Sequence, residues 1–425
     1  MKMTTKKYLS LILAGVCSVS TPVSSFASEN FTADAYAYGP GIDNLSSSDQ
    51  YARYQWGLRN EGDLEYVEVI NKFEDANPTL AAIVDFANQF SLQLPASVSG
   101  PDTYKQQSTT AKAGIDINIQ PAWKQYDEDT SEHRQVIVAV IDTGIDISHP
   151  ELADSIWVNE DEIPGDDIDN DGNGYVDDVN GWSFFNRSEK VYWGKEDDHG
   201  THSAGTIAAT RGNQGIAGIA DPTYVKIMPL KALGTESGIG EVGDIIDAIK
   251  YAEANGASIC NLSFGSDVNY PELEQVMRDS KMLFIVSAGN GDASGKGVNM
   301  DEAENATYPA SYDLDNVISV ANLMFDGNLD TSSNYGLKTV DIAAPGTFIV
   351  STTPENGYGF MSGTSMAAPM VTGVAAMVYS CRQDLDLAGV RTAILNSARK
   401  LPTLEGKVAT GGMLDAYAAL NYGIE

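Results

Sequence analysis

Apolar residues in this chain gather in short unbroken runs rather than in strict alternation with polar ones. Gln135 to Ile141 reads QVIVAVI, a β-branched run with no polar face, as expected for a strand buried on both sides. Val225 to Leu233, Ala257 to Phe264, Met282 to Ala288, Val317 to Ala321 and Val340 to Ala343 read as further strands. Segments of helical period lie between them. Asp244 to Ala254 places Ile245, Ile246, Ile249 and Ala252 on one face, His202 to Ala208 is a short helix candidate, and Val371 to Tyr379 reads as a buried helix. This alternation from about residue 114 predicts an α/β fold with a mainly parallel sheet, in which functional groups collect at the carboxyl ends of strands.

The first part of the chain has a different texture. Lys2, Lys6 and Lys7 precede an apolar run from Tyr8 to Val19, and Ser25-Phe26-Ala27 offers a small-residue cleavage site. Residues 1–27 therefore read as a signal peptide, and the expected location is extracellular, with the periplasm or cell surface as variants. Cys17 fits a lipid-anchor site poorly, because bulky Val16 precedes it. Residues 28–50 lack periodicity and read as a leader or part of a propeptide. Gln55-Trp56-Gly57-Leu58-Arg59-Asn60 is a compact apolar anchor, Asn77 to Phe90 has helical spacing, and residues 97–113 read as a linker. After the signal no stretch reaches about 18 uninterrupted apolar residues, so no membrane span is expected.

Composition narrows the partners. The chain carries 59 Asp and Glu against 26 Lys and Arg, a net charge of -33, which repels nucleic acid and favours cation binding. No nucleic-acid partner is expected, and a monomer is. Removing the signal leaves Cys260 and Cys381, which read as two buried free thiols rather than a disulfide scaffold.

Chemistry-bearing residues sit at element ends. The chain has four histidines, His133, His149, His199 and His202, so a neutral-pH base of the usual kind comes from these. Asp142 ends the QVIVAVI strand; it is either an Asx-turn residue or a buried carboxylate paired with an imidazole. His199 and His202 in Asp198-His199-Gly200-Thr201-His202 could suggest zinc, but no third ligand or Cys pair completes a site. The other reading makes His199 a base at a helix start and packs His202 inside. Asn290, after Phe284-Ile285-Val286-Ser287-Ala288-Gly289, either shapes a turn or donates its amide to an oxyanion. Ser365, in Gly363-Thr364-Ser365-Met366-Ala367-Ala368-Pro369, is either a helix cap or a nucleophile whose own N–H faces an oxyanion.

Together these motifs, in the order Asp142, His199, Ser365, resemble the subtilisin-like serine peptidases of the secreted bacterial type. His149-Pro150-Glu151-Leu152, Leu262-Ser263-Phe264-Gly265, Tyr308-Pro309-Ala310 and Ala344-Pro345-Gly346 add to the match, which spans residues 114–425. The resemblance implies a three-layer fold with a mainly parallel central sheet flanked by helices, and a serine endopeptidase acting on polypeptides through an acyl-enzyme. Ser365 would attack, His199 would accept its proton, Asp142 would orient the imidazole, and Asn290 with the Ser365 N–H would hold the oxyanion. Ser263, Phe264 and Gly265 would pair with extended substrate. Ser237, Gly238, Ile239 and Gly240 would form the opposite wall, and Thr307 the floor of a pocket for medium-sized apolar side chains. The family is usually made with a propeptide, so residues 51–113 are either that propeptide or an insertion in a catalytic domain that already includes Gln55-Trp56-Gly57. The second reading is favoured.

An acidic loop stands apart. Asp167-Ile168-Asp169-Asn170-Asp171-Gly172-Asn173-Gly174-Tyr175-Val176-Asp177-Asp178 fits a calcium-loop template with oxygen ligands from Asp167, Asp169, Asp171, Asn173, Tyr175 and Asp178, though Asp178 replaces the usual closing Glu. A structural Ca²⁺ is expected. Gly238-Ile239-Gly240-Glu241-Val242-Gly243 spells G-x-G-x-x-G but lies several residues after its strand, so dinucleotide binding is not expected. The alternative function is a catalytically silent, calcium-dependent secreted binding protein on a peptidase fold.

Overall fold

A computed structural model describes residues 36–38, 49, 51–62, 64–71, 104–213, 215–234, 238–292 and 294–424. The signal segment, the helix expected over 77–90 and Ser237 lie outside these residues. The β-branched runs form one sheet: β4 (Val136–Asp142), β5 (Trp182–Ser183), β6 (Val225–Lys231), β7 (Ile259–Leu262), β8 (Leu283–Ser287), β9 (Val317–Leu323), β10 (Ile342–Pro345), β13 (Arg399–Lys400) and β14 (Gly412–Met413). Its spatial order is β13-β14-β10-β9-β8-β7-β4-β6-β5, with every pairing parallel except the edge pair of β13 with β14. The chain passes from β4 outward to β6 and then crosses back to β7 on the other side of β4. That reversal opens a crevice at the carboxyl ends of β4 and β7, where ligands bind in open α/β sheets.

Helices flank the sheet: α1 (Ile119–Glu128), α2 (Asp198–Ala208), α3 (Val242–Ala254), α4 (Pro271–Asp279), α5 (Thr364–Cys381), α6 (Leu387–Asn396) and α7 (Ala416–Leu420). The central one is α5, which packs on α2 and across β7, β8, β9 and β10 and is almost wholly buried. Among the described residues α5 is the one helix long and apolar enough to cross a membrane, and here that apolar surface forms protein core.

Both site-bearing helices begin earlier than the periodicity predicts. α2 starts at Asp198 rather than 202, and α5 at Thr364 rather than 371. The first turns are rich in Gly, Thr, Ser, His and Asp, weak helix formers that tertiary bonds hold in place. A hairpin of β11 (Ile349–Thr353) and β12 (Gly357–Met361) packs on α2 and was not visible in the sequence.

Upstream, β1 (Tyr36–Tyr38), β2 (Leu64–Asn71) and β3 (Tyr104–Thr110) form a separate antiparallel sheet, so residues 104–110 are strand where the sequence reads as linker. The Gln55–Asn60 anchor is built into the main core. Trp56 Nε1 donates to the Thr347 carbonyl (2.8 Å), and the Gln55 amide exchanges two bonds with the Ala217 backbone (2.8 Å each). A Cβ on Gly57 would stand 2.9 Å from the Pro345 ring, so only glycine lets this segment lie against β10.

Candidate active site

Strand β4 delivers Asp142, and the turn after it is tight. Gly144 has φ +128°, and a Cβ there would stand 2.6 Å from the Asp197 carboxylate. Gly200, in the first turn of α2, approaches so closely that a Cβ would stand 2.2 Å from the Gly144 carbonyl. These two glycines allow α2 to start against the end of β4, which places His199 on Asp142. Nδ1 of His199 lies 2.8 and 3.0 Å from the two carboxylate oxygens, with both residues buried. The Thr143 N–H donates to the same carboxylate (2.6 Å). Burial pulls the imidazole pKa down, but the Asp142 carboxylate and its hydrogen bond, helped by Asp198, outweigh it and hold His199 above the ordinary histidine value. A carboxylate on Nδ1 fixes the proton there and leaves Nε2 as the basic nitrogen. Nε2 has no hydrogen-bond partner among the described residues.

Beneath this turn lies a buried ion pair that the sequence reading did not single out. Lys231, at the end of β6, donates to Asp197 (2.9 Å) and to the carbonyls of Thr143 and Leu233 (3.1 Å to the latter). Asp197 also accepts from the Trp193 N–H (2.6 Å). The only signal was a lysine among apolar neighbours at a strand end.

Ser365 is set by three local constraints. Gly363 caps α5 at φ +148°, and a Cβ there would stand 3.0 Å from Nδ2 of Asn290. The Asn290 amide oxygen accepts from the Thr364 N–H (2.8 Å) and hydroxyl (2.9 Å), so the network assigns Nδ2 to the other side. The third constraint is Pro369. It has no N–H to give to the carbonyl four residues back, which belongs to Ser365. The Ser263 hydroxyl supplies that donor (3.0 Å), while the Ser365 hydroxyl donates to the Ser263 carbonyl (2.9 Å). This reciprocal pair ties the end of β7 to the start of α5. The Ser365 N–H lies in the first turn and has no intrahelical acceptor.

The expected substrate walls converge on the same edge. A Cβ on Gly265 would stand 2.7 Å from the Thr307 methyl, and one on Gly289 3.4 Å from it, so Thr307 lies between the segments after β7 and β8. Ser266 and Tyr308 exchange backbone bonds of 2.8 and 2.7 Å, which fixes Thr307 there. Phe264 is buried, Gly238 has φ +59°, and Ile239 is exposed with its carbonyl bonded to the Gly234 N–H (2.8 Å).

In the acidic loop the structure gathers a smaller and partly different set. Oxygens of Glu162, Asp171 and Asp178 lie within 4.8 Å of one another. Asp178 is buried and accepts from Tyr251, Asn159 (3.0 Å) and Asn173 (2.9 Å). Asp169 accepts from the backbone of Asn173 and Gly174 (3.0 and 2.9 Å), and the Asn173 side-chain oxygen from the Tyr175 N–H (2.8 Å). Asp167 and Asp169 are not in this carboxylate cluster, and Glu162, upstream of the template, is. Oxygen-only donors around one point suit Ca²⁺. Glu151, outside this loop, is buried and its Oε1 accepts from Tyr358 (2.7 Å).

The other histidines take no part in this edge. His202 bonds the Ile349 carbonyl (2.9 Å) and burial lowers its pKa to about 4, while His149 bonds Gly357 (3.1 Å). Asp142 holds Nδ1 of His199, and the Ile349 carbonyl holds Nε2 of His202. Cys260 and Cys381 are unpaired.

The subtilase family, Peptidase_S8, matches residues 133–416. The chain spans less than half the length of the first curated relatives. Subtilisin-like protease 1 of Plasmodium falciparum (isolate 3D7) is 37% identical over 304 residues, covering 68% of this chain and 44% of that protein. The thermophilic serine proteinase of Bacillus sp. (strain AK1) is 34% identical over 362 residues, covering 84% and 76%. The major intracellular serine protease of Bacillus subtilis (strain 168) is 35% identical over 255 residues, covering 59% and 70%. A solved chain of the subtilase cytotoxin SubAB assembly shares the fold, with a TM-score of 0.56 at 24% identity over 72% of this chain and 94% of that one. The chain belongs to the subtilase family.

Proposed function

We propose that this chain is a secreted serine endopeptidase whose triad is Asp142, His199 and Ser365. The supporting observation is the buried Asp142–His199 pair, with Nε2 unpartnered among the described residues, on a helix packed against α5, whose first turn carries Ser365. In the resting geometry the Ser365 hydroxyl is held by the Ser263 carbonyl. Rotation about one side-chain bond transfers that proton to His199 Nε2 as Oγ attacks a substrate carbonyl. Asn290 Nδ2 and the Ser365 N–H receive the oxyanion, and one such donor is worth about 3–4 kcal/mol in the transition state. His199 then protonates the leaving amine, and water releases the acyl group by the reverse sequence.

The substrate backbone would add along residues 263–265 as a strand, with its side chain toward Thr307 and the loop at 238–240 opposite. Glu162, Asp171 and Asp178 would hold a Ca²⁺ that braces the loop without touching the reaction. Secretion rests on the Lys2 to Ala27 pattern. The packing of Trp56 and Gly57 against Thr347 and Pro345 supports assigning residues 51–60 to the mature catalytic domain, in which case processing removes only a short leader. Peptide or casein hydrolysis by the secreted wild type and by Ser365→Ala tests the proposal. Cleavage should vanish in the variant and on treatment with a serine-directed covalent inhibitor; equal cleavage by both proteins would refute it.

A further inference from the structure

Three segments meet at the amino edge of the sheet, the far end of α5 from Ser365. Asp129 is the C-cap of α1, His133 lies in the turn entering β4, and Cys381 is the last residue of α5. Cys381 Sγ lies 3.3 Å from Asp129 Oδ2, and His133 Nε2 lies 3.6 Å from the same oxygen. One ligand atom from each residue falls within a 4.8 Å cluster. His133 is only 8% exposed, yet neither ring nitrogen has a hydrogen-bond partner among the described residues. An imidazole carried into the interior and aimed at a carboxylate and a thiol, with no bond of its own, lacks the partner such a group normally has.

We propose that Asp129, His133 and Cys381 form a binding site for a zinc-class divalent cation, separate from the peptidase machinery and from the oxygen-only acidic loop. The donor set is one nitrogen, one sulfur and one oxygen. Zinc and cobalt(II) accept such a mixture, whereas Ca²⁺ and Mg²⁺ call for oxygen ligands. Bonds of about 2.0–2.3 Å in tetrahedral array put ligand atoms roughly 3.3–3.8 Å apart, which matches the two measured separations. The site also lies at the carbonyl end of an 18-residue helix, whose dipole favours a cation. Asp129 and Cys381 are partly exposed, giving an ion a path in and leaving a fourth position for water.

Cysteine binds such an ion as the thiolate, so binding displaces the Cys381 proton. His133 Nδ1 has no acceptor among the described residues to orient it, so affinity should fall roughly 10–100-fold below that of a site with such support. Once filled, the site would pin the C-terminus of the helix carrying Ser365 to the entry of the strand carrying Asp142.

The test is a Co²⁺ titration of reduced, chelator-treated full-length protein in the Ser365→Ala background, which removes self-cleavage. A near-ultraviolet thiolate-to-cobalt charge-transfer band should grow to one equivalent, persist in millimolar Ca²⁺ and bleach when Zn²⁺ is added. Cys260→Ser should keep the band, and Cys381→Ser, a size-conserving change at a partly exposed position, should abolish it. Asp129→Asn and His133→Gln should weaken binding tenfold or more. Absence of the band, or cobalt uptake without it, would overturn the proposal, as would a band that survives Cys381→Ser. Zn²⁺ should also shield Cys381 from alkylation, read by mass spectrometry; an unchanged alkylation rate would count against the site.

Discussion

Lys231→Met offers a perturbation whose cost can be worked from the contacts. Lys231 and Asp197 are 1% and 0% exposed, and burial pushes the Lys231 ammonium down and the Asp197 carboxyl up. Neither charge is comfortable alone, and the pair persists because each compensates the other at 2.9 Å. Removing the ammonium leaves a buried carboxylate with only the Trp193 N–H, and leaves the Thr143 and Leu233 carbonyls short of a donor. Breaking such a pair costs about 3–5 kcal/mol, a large part of the 5–15 kcal/mol that usually separates folded from unfolded protein. Replacing both partners by apolar groups avoids the stranded charge and leaves chiefly the unmet carbonyls, about 1–3 kcal/mol. Urea unfolding in a Ser365→Ala background should therefore rank Lys231→Met below the Lys231→Met/Asp197→Leu double variant. A single variant within 0.5 kcal/mol of its parent, or a double variant as costly as both singles summed, would refute the reasoning. Because Thr143 adjoins Asp142, kcat in the Ser365 enzyme should fall as well.

Three further outcomes follow from the site. Asp142→Asn should cut kcat by about 10⁴-fold, and because the carboxylate is what raises His199 against burial, the acid limb of kcat/KM should move to lower pH; a limb that stays in place would contradict the assignment. Calcium at a hundredfold excess over Kd adds about 2.7 kcal/mol, so chelation should lower Tm by about 4–5 °C, and by less in Asp171→Asn. A melting curve indifferent to chelator would count against the acidic loop as a calcium site. Thr307→Ser removes the methyl lying 2.7 Å from where a Gly265 Cβ would stand, and should favour aromatic over leucine side chains at the cleavage site by about tenfold; an unchanged preference would place the pocket elsewhere.

The buried parallel strands were legible because a run such as QVIVAVI has one physical reading, and Asp142 and Asn290 could be placed at strand ends from those runs alone. What escaped depended on long-range contact. The second turn of α5 contains Pro369, which argues against a helix there until Ser263, about a hundred residues upstream, supplies the missing donor. Lys231 reads as a strand-end charge until Asp197 folds under it. The polar strand YKQQSTT carries no apolar alternation and is defined by its pairing with β2. Glu162 precedes the calcium template and joins Asp171 and Asp178 only when the loop closes.

The central claim is that Ser365 is the nucleophile and that His199, held by Asp142, activates it. The most direct measurement is covalent modification by a phosphonofluoridate-type serine reagent, with the adduct located by peptide mass spectrometry. The adduct should fall on Ser365, its formation should slow at acid pH as His199 protonates, and His199→Ala should nearly abolish it. An adduct on another residue, or labelling of Ser365 at the same rate without His199, would contradict the account.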